Sequence, residues 1–217
     1  MCCTEDPGDI SCYGLKLEEG TPLWQRRDSL VLPDDEAQAD MYLFTVEYLQ
    51  NLGYRQYEIS NFARPGHESR HNLKYWTLSE YAGFGPGAHS DFGNVRYAYV
   101  ADLDMYLQGR LILAESETIP EAEREREREY VMLSLRTAAG LDVKAFENRF
   151  RCRFDVAQKL MENYEVHGLA CRTDGGWRLT PRGFLVSNAI ITALIDALAE
   201  EKQRRLEKAH RGDYRII

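Results

Sequence analysis

The spacing of apolar residues changes repeatedly along the chain, and each change predicts an element. Ile10 to Leu17, ISCYGLKL, mixes β-branched, aromatic and aliphatic residues ahead of the turn signal Gly20-Thr21-Pro22, which predicts a strand. Pro33-Asp34-Asp35-Glu36 then supplies a cap and an acidic first turn. Ala37, Met41, Phe44, Tyr48 and Leu52 recur at helical spacing, and Gly53 closes the segment, so a helix is expected with that stripe on one face. Tyr54 to Ser60, YRQYEIS, reads as the next strand. Strand, helix, strand in this order predicts a βαβ unit of a parallel sheet. After Ser60 the period is lost in a long polar stretch containing Pro65-Gly66, a loop at the carboxyl end of a strand, where α/β sheets bind their ligands. Asp91 to Val100 predicts a strand or hairpin, and the segment ending at Gly109 a short helix.

From Glu121 the period is helical. EAEREREREYVMLSLRTAAG starts as a charged face and ends with Val131, Leu135 and Ala138 at helical spacing before Gly140. DVKAFENRF and DVAQKLMENYEVHG predict two further helices, the second aligning Val156, Leu160 and Tyr164. A hairpin around Asp174-Gly175-Gly176 precedes a long helix burying Phe184, Ile191, Ile195 and Leu198. Helices, a small hairpin and a final helix describe a winged-helix-like unit, and the basic-acidic tail is expected to fray.

Composition narrows the class. A chain of 217 residues with 44% hydrophobic content can bury a sizeable core. It contains no apolar run of membrane-spanning length, and MCCTEDPGDI lacks the order of a signal peptide, so a cytoplasmic protein is expected. Cysteines at 2, 3, 12, 152 and 171 fit neither a disulfide framework nor a zinc site; Cys152 and Cys171 read as small apolar side chains. The net charge of −8 opposes general nucleic-acid binding. Residues 1–115 carry 9 basic and 18 acidic residues, and residues 116–217 carry 18 and 17, which predicts two domains divided within 114–123. Helix Asp155 to Gly168 carries Lys159 against Asp155, Glu162 and Glu165, the wrong sign for a DNA-recognition helix. The alternating ERERERE run reads as a solvated face.

Candidate chemistry concentrates in HNLKYW. His71 can ligate a metal, Tyr75 and Trp76 offer aromatic surface, and Arg64 or Arg70 can pair with carboxylates; His67 is a weaker second ligand candidate. The same residues admit a structural reading. His71 to Tyr75 and Asn72 to Trp76 are both i, i+4 pairs, so the element can be one helical turn capped by His71 or Asn72, with Trp76 in the core. His89 follows Gly83, Gly85 and Gly87, where either close approach to a cofactor or a tight turn explains the glycines. Ser60 and Asn61 can contact a ligand or form an Asx turn. His167 near Gly168 serves by default to stabilise a helix end.

YEISNFA (57–63), RHNLKYW (70–76), GFGPGAHS (83–90) and LTPRGFLVSN (179–188) resemble the radical S-adenosylmethionine family of the oxygen-independent coproporphyrinogen III oxidase, HemN. HNxxYW and ISCYGLKLEEGTPLW are similar to its HemW branch of heme chaperones. The resemblance implies an α/β fold: residues 1–115 are the last strands and helices of a partial (β/α) radical-SAM barrel, and 116–217 a mostly helical winged-helix-like domain. It implies heme, which needs an axial ligand, aromatic surface for the macrocycle and cations for the propionates, in contact with Arg70, His71, Asn72, Tyr75 and Trp76: His71 on the iron, Tyr75 and Trp76 flanking the ring, Arg64 or Arg70 at the propionates. It also implies S-adenosylmethionine near Ser60 and Asn61, and cofactor approach at Gly85, Gly87 and His89. Family members carry CxxxCxxC for a 4Fe–4S cluster, whereas the gaps between these cysteines are 1, 9, 140 and 19. The chain is therefore expected to be the rear part of a longer protein, with cluster and S-adenosylmethionine confined to full-length relatives and no radical chemistry of its own. Its expected partners are heme and a heme-accepting apoprotein, through which it can meet a membrane. An unpaired strand edge predicts self-association. Oxidative decarboxylation of coproporphyrinogen III is the alternative activity.

Overall fold

The computed structural model describes residues 7–93, 95–110, 119–120 and 125–213. In chain order these form β1 (Asp9–Ser11), α1 (Pro22–Gln25), a 3-10 turn (Arg27–Ser29), α2 (Asp35–Asn51), β2 (Arg55–Glu58), β3 (Asn61–Ala63), α3 (Arg70–Trp76), β4 (His89–Phe92), β5 (Val95–Ala98), α4 (Leu103–Leu107), β6 (Ile119–Pro120), α5 (Arg126–Ser134), β7 (Leu141–Asp142), α6 (Val143–Phe150), α7 (Asp155–Val166), β8 (Ala170–Arg172), β9 (Gly176–Leu179), α8 (Pro181–Leu185) and α9 (Ser187–Asp213). Cys2, Cys3, most of the dividing segment 114–123 and the last four residues lie outside the described residues. The fold is mixed α/β. Its contacts form two units: residues 70–134, and those before 70 together with those from 135 onward.

Local chemistry sets the helix ends. The Asp34 carboxylate accepts from the Ala37 N–H at 2.8 Å and that of Asp142 from Ala145 at 2.7 Å, each satisfying an orphan first-turn donor. Thr180 accepts from Gly183 at 3.1 Å, with Pro181 at the first helical position.

The larger unit begins with a sheet of order β1-β3-β2. Both outer strands run antiparallel to β3, so β1 and β2 share a direction as a βαβ unit requires, but they are not neighbours. The chain reverses at Ile59-Ser60 and returns as Asn61–Ala63, part of the stretch read as loop, to occupy the place between them. The strand expected over Ile10–Leu17 stops at Ser11 because its partner is only three residues long; Tyr13 and Leu15 are exposed. Phe62 packs with Tyr54, Val46 and Leu49, flanked by Ile10, Cys12 and Tyr42. The stripe expected to face this core does the opposite: Met41, Phe44 and Tyr48 are 60%, 65% and 54% exposed. Tyr42, Val46 and Leu49 form a competing stripe at i, i+4, i+7, and that one is buried. Segment 135–140 returns to β2: Ile59 N–H donates to the Arg136 carbonyl and Ala138 N–H to that of Tyr57.

The rest of this unit packs α6, α7 and α9 around the sheet β7-β9-β8. Leu141, Phe146, Phe154, Ala157, Met161, Trp177, Ile190 and Leu194 are almost fully buried. The buried line of α7 is Ala157 and Met161, one position from the expected one, which is half-exposed; Trp177 donates to Gln158 at 2.8 Å. Phe184 belongs to the separate α8, and Leu194, not the half-buried Ile195, fills the core side of α9. In the smaller unit, β4-β5-β6 is an antiparallel meander, with Ser90, Asp91 and Ala98 buried.

Candidate functional site

The HNLKYW motif is a helix. It begins at Arg70, so His71 and Asn72 lie inside its first turn and the capping role expected of them is absent. The i, i+4 spacing instead brings the Tyr75 hydroxyl to 2.8 Å from His71 Nε2, with the two rings edge to face at 5.0 Å. Tyr75 in turn meets the Tyr81 ring edge to face at 4.5 Å. His71, Tyr75 and Tyr81 thus form an aromatic row on the smaller unit. His71 is exposed and Tyr75 is 39% exposed, whereas Asn72 and Trp76 are half-buried, so Trp76 leans toward packing.

α3 ends in a left-handed cap. Ser79 N–H donates to the Lys74 carbonyl at 3.0 Å and Leu78 N–H to that of Tyr75 at 3.4 Å, the pair of bonds of a Schellman closure. The left-handed position is usually glycine; here it is Leu78, at φ 55°, at a cost of about 1 kcal/mol. Closure points Leu78 and Ser79 into a cavity of about 180 Å3, lined also by Lys74, Tyr75, Tyr81, Asp91, Arg96, Glu129, Met132 and Leu133.

Charge is organised beneath that cavity. Asp91, only 4% exposed, lies 3.5 Å from the Arg96 guanidinium and 3.7 Å from that of Arg126. Glu129 contacts the same two arginines at 2.9 and 3.5 Å. The ERERERE run is therefore not wholly a solvated face: the Arg126 and Glu129 side chains are 18% and 17% exposed. Lys74, Tyr81, Asp91, Arg96, Arg126 and Glu129 were all missed as site residues from sequence. Their signal, alternate charges on a short hairpin and on one helix face, has no meaning until the two elements meet.

The other candidates are placed as follows. Gly83 N–H donates to the Ser90 hydroxyl at 3.0 Å, and a Cβ on Gly83 would stand 2.2 Å from the His89 carbonyl. Gly85 and Gly87 have φ of 123° and 71°, and Gly87 N–H donates to the Tyr99 carbonyl. The glycines thus fold the loop onto its own hairpin. His89 is exposed at the start of β4, and Arg70 is exposed at the start of α3. In the larger unit, Arg64 lies over the Tyr54 ring at 4.6 Å and donates to the Leu52 carbonyl, and His67 packs against Gly8. His167 Nδ1 bonds the Asn163 carbonyl at 2.8 Å at the end of α7. Ser60 is in the β2–β3 turn. Asn61 is buried, where its side chain accepts from the Ser11 hydroxyl and bonds Glu58. Glu58 is 1% exposed, and burial raises its carboxyl pKa against the bonds from Asn61 and the Ser60 and Asn61 amides. Burial also pushes the nearby Tyr42 hydroxyl, which donates to the Ile59 carbonyl, up to about 12.

Cys12, Cys152 and Cys171 are free thiols, and burial raises the Cys12 pKa. Among the described residues no three His, Cys, Asp or Glu side chains converge as a metal site, so these residues do not fit an iron–sulfur cluster. No described helix is long and apolar enough to cross a membrane.

Comparison with known proteins decides the family. The model of the HemN C-terminal domain matches residues 122–186. The heme chaperone HemW of Lactococcus lactis is 34% identical over 78% of this chain and 48% of its own length, and that of Bacillus subtilis 31% identical over 89% and 52%. The chain belongs to the HemN family. A bovine relative, radical S-adenosyl methionine domain-containing protein 1, mitochondrial, is 31% identical over 94% of the chain and 49% of itself. Among solved structures, the HemN coproporphyrinogen III oxidase of Escherichia coli, a radical SAM enzyme, superposes with a TM-score of 0.61 over 87% of this chain and 48% of its own, at 19% identity; the fold is thus of the HemN type. The chain spans about half the length of the curated HemN-family relatives it matches.

Proposed function

We propose that this chain is the heme-holding part of a HemW-type chaperone, which binds heme and passes it to an acceptor apoprotein. The observation that carries the reading is the pair His71 and Tyr75, exposed on the HNLKYW helix, with the half-buried Tyr81 extending the row, backed by the chaperone relatives. A cavity of about 180 Å3 is below the range of roughly 300–1,000 Å3 that encloses a drug-sized ligand, so the macrocycle would lie on the aromatic row and not inside the protein. His71 Nε2 is engaged by Tyr75, so iron ligation requires either release of that bond or use of Nδ1. Arg70, Asn72, Trp76 and His89 complete the candidate contact set on this unit, with Gly85 and Gly87 shaping the loop that presents His89.

In the whole protein we assign residues 1–115 to the end of a partial radical-SAM barrel and 116–217 to a winged-helix-like domain, which the HemN C-terminal match to 122–186 supports. Ser60 and Asn61 then fall where a full-length relative would hold S-adenosylmethionine. We place the protein in the cytoplasm, at membranes only through its acceptor, and assign self-association to the exposed α2 stripe. Hemin titration tests the reading: the wild type should shift the Soret band with a one-to-one end point, and folded His71→Ala should lose the shift. An unshifted wild-type spectrum sinks the proposal.

A further inference from the structure

The cavity beneath the aromatic row is too small for a porphyrin, yet it is built with unspent polar capacity. Arg96 Nε is buried and has no hydrogen-bond acceptor, although the same guanidinium pairs with Asp91 and Glu129 through its other nitrogens. A buried donor left in this state costs about 1–3 kcal/mol, so an acceptor belongs beside it. Lys74, at the cavity wall, has no ion pair among the described residues. Among the described residues, Lys74, Arg96 and Arg126 are the cations of this cluster and Asp91 and Glu129 its carboxylates, so a further anion beside Lys74 and Arg96 meets an attractive field. Apart from Ser79, the remaining wall is Tyr75, Leu78, Tyr81, Met132 and Leu133 and is mostly apolar. The strained Leu78 turn is part of that wall, and so is Tyr75, which also holds His71.

We propose that this cavity receives one carboxyalkyl arm of the porphyrin, the methylenes against Tyr75, Leu78 and Tyr81 and the carboxylate between Lys74 and Arg96. Lys74 and Arg96 thereby take the role that sequence gave to Arg64 and Arg70. Arg64 is already committed to Tyr54 and the Leu52 carbonyl. The proposal rests on the heme reading above and adds an orientation to it: one propionate edge points into the protein, and iron stands over the His71 end of the row. A charge-assisted hydrogen bond in a partly dry site is worth about a factor of ten in affinity, and an ester cannot make it.

The test compares hemin with its dimethyl ester on the full chain. The wild type should bind hemin about tenfold more tightly than the diester. Lys74→Met, at an exposed helix position, should remove most of that preference while leaving diester affinity and Soret position unchanged. Arg96→Gln should act in the same direction, and should it fail to fold, Lys74→Met alone decides. Equal affinity of the wild type for both porphyrins, or a loss in Lys74→Met shared equally by both, overturns the assignment. If His71→Ala abolishes the spectral shift while Lys74→Met keeps the full preference for hemin, the heme reading stands and the arm site falls. If neither porphyrin binds, the heme reading fails on its own and carries this assignment with it.

Discussion

Among the described residues two carboxylates are buried almost completely, and the protein treats them in opposite ways. Asp91, in the smaller unit, has two guanidinium groups within 3.7 Å, which Glu129 shares. Glu58, in the β2–β3 hairpin of the larger unit, has no cation in any described ion pair; its partners are an amide side chain and two backbone N–H groups, and Oε1 has none. Asp91 lies in a network of paired charges. Glu58 lies where burial disfavours the charged form and raises its pKa. The contrast separates a wall of paired charges from a polar plug, free of ion pairs among the described residues, that fastens the hairpin beside Asn61 and Ser11.

The largest expected effect comes from breaking the first arrangement. Asp91→Ala removes the buried carboxylate that both Arg96 and Arg126 contact and should cost about 3 kcal/mol, read as a lowered urea midpoint. Glu58→Gln should act the other way. A raised folded-state pKa means that Glu58 is neutral in both states below about 4.5, its ordinary value, and that stability is lost as pH climbs through the folded pKa. The variant cannot ionise, so it should match the wild type near pH 4 and exceed it by about 1 kcal/mol near pH 8. Equal pH profiles for the two proteins would show that Glu58 is not a burden.

This contrast was invisible in the sequence, and the reason is physical. The start of α2 was readable because its determinant is local: Asp34 bonds an amide three residues on, as Asp142 and Thr180, not read as caps, also do. The hairpin at Asp174-Gly175-Gly176 was readable for the same reason. Sheet order was not, because Asn61–Ala63 is too short to show a period and takes its place only by pairing on both sides. α2 carries two apolar stripes, and sequence cannot say which one meets Phe62. At the candidate site, the i, i+4 pair His71–Tyr75 followed from spacing. The wall formed by Arg96 and Glu129 joins residues 33 apart and did not.

The smallest effect lies within one run of alternating charge. Arg126 and Arg128 are two positions apart on α5, so they face different directions. Arg126 reaches Asp91 and Glu129 with its side chain 18% exposed, whereas Arg128 pairs with Glu125, both more than half exposed. Solvent screens the second pair, and its helical spacing holds it at little more than the entropy of two long side chains. Arg128→Ala should therefore change stability by less than about 0.5 kcal/mol, and Arg126→Ala by a few times that amount, in the same urea titration. The Arg128 change should also leave the preference for hemin over its diester intact, because Arg128 is not part of the charge cluster around Asp91. A comparable loss in the two variants would mean that the run acts as one solvated face after all, and the distinction between the buried network and the exposed pairs would have no energetic content.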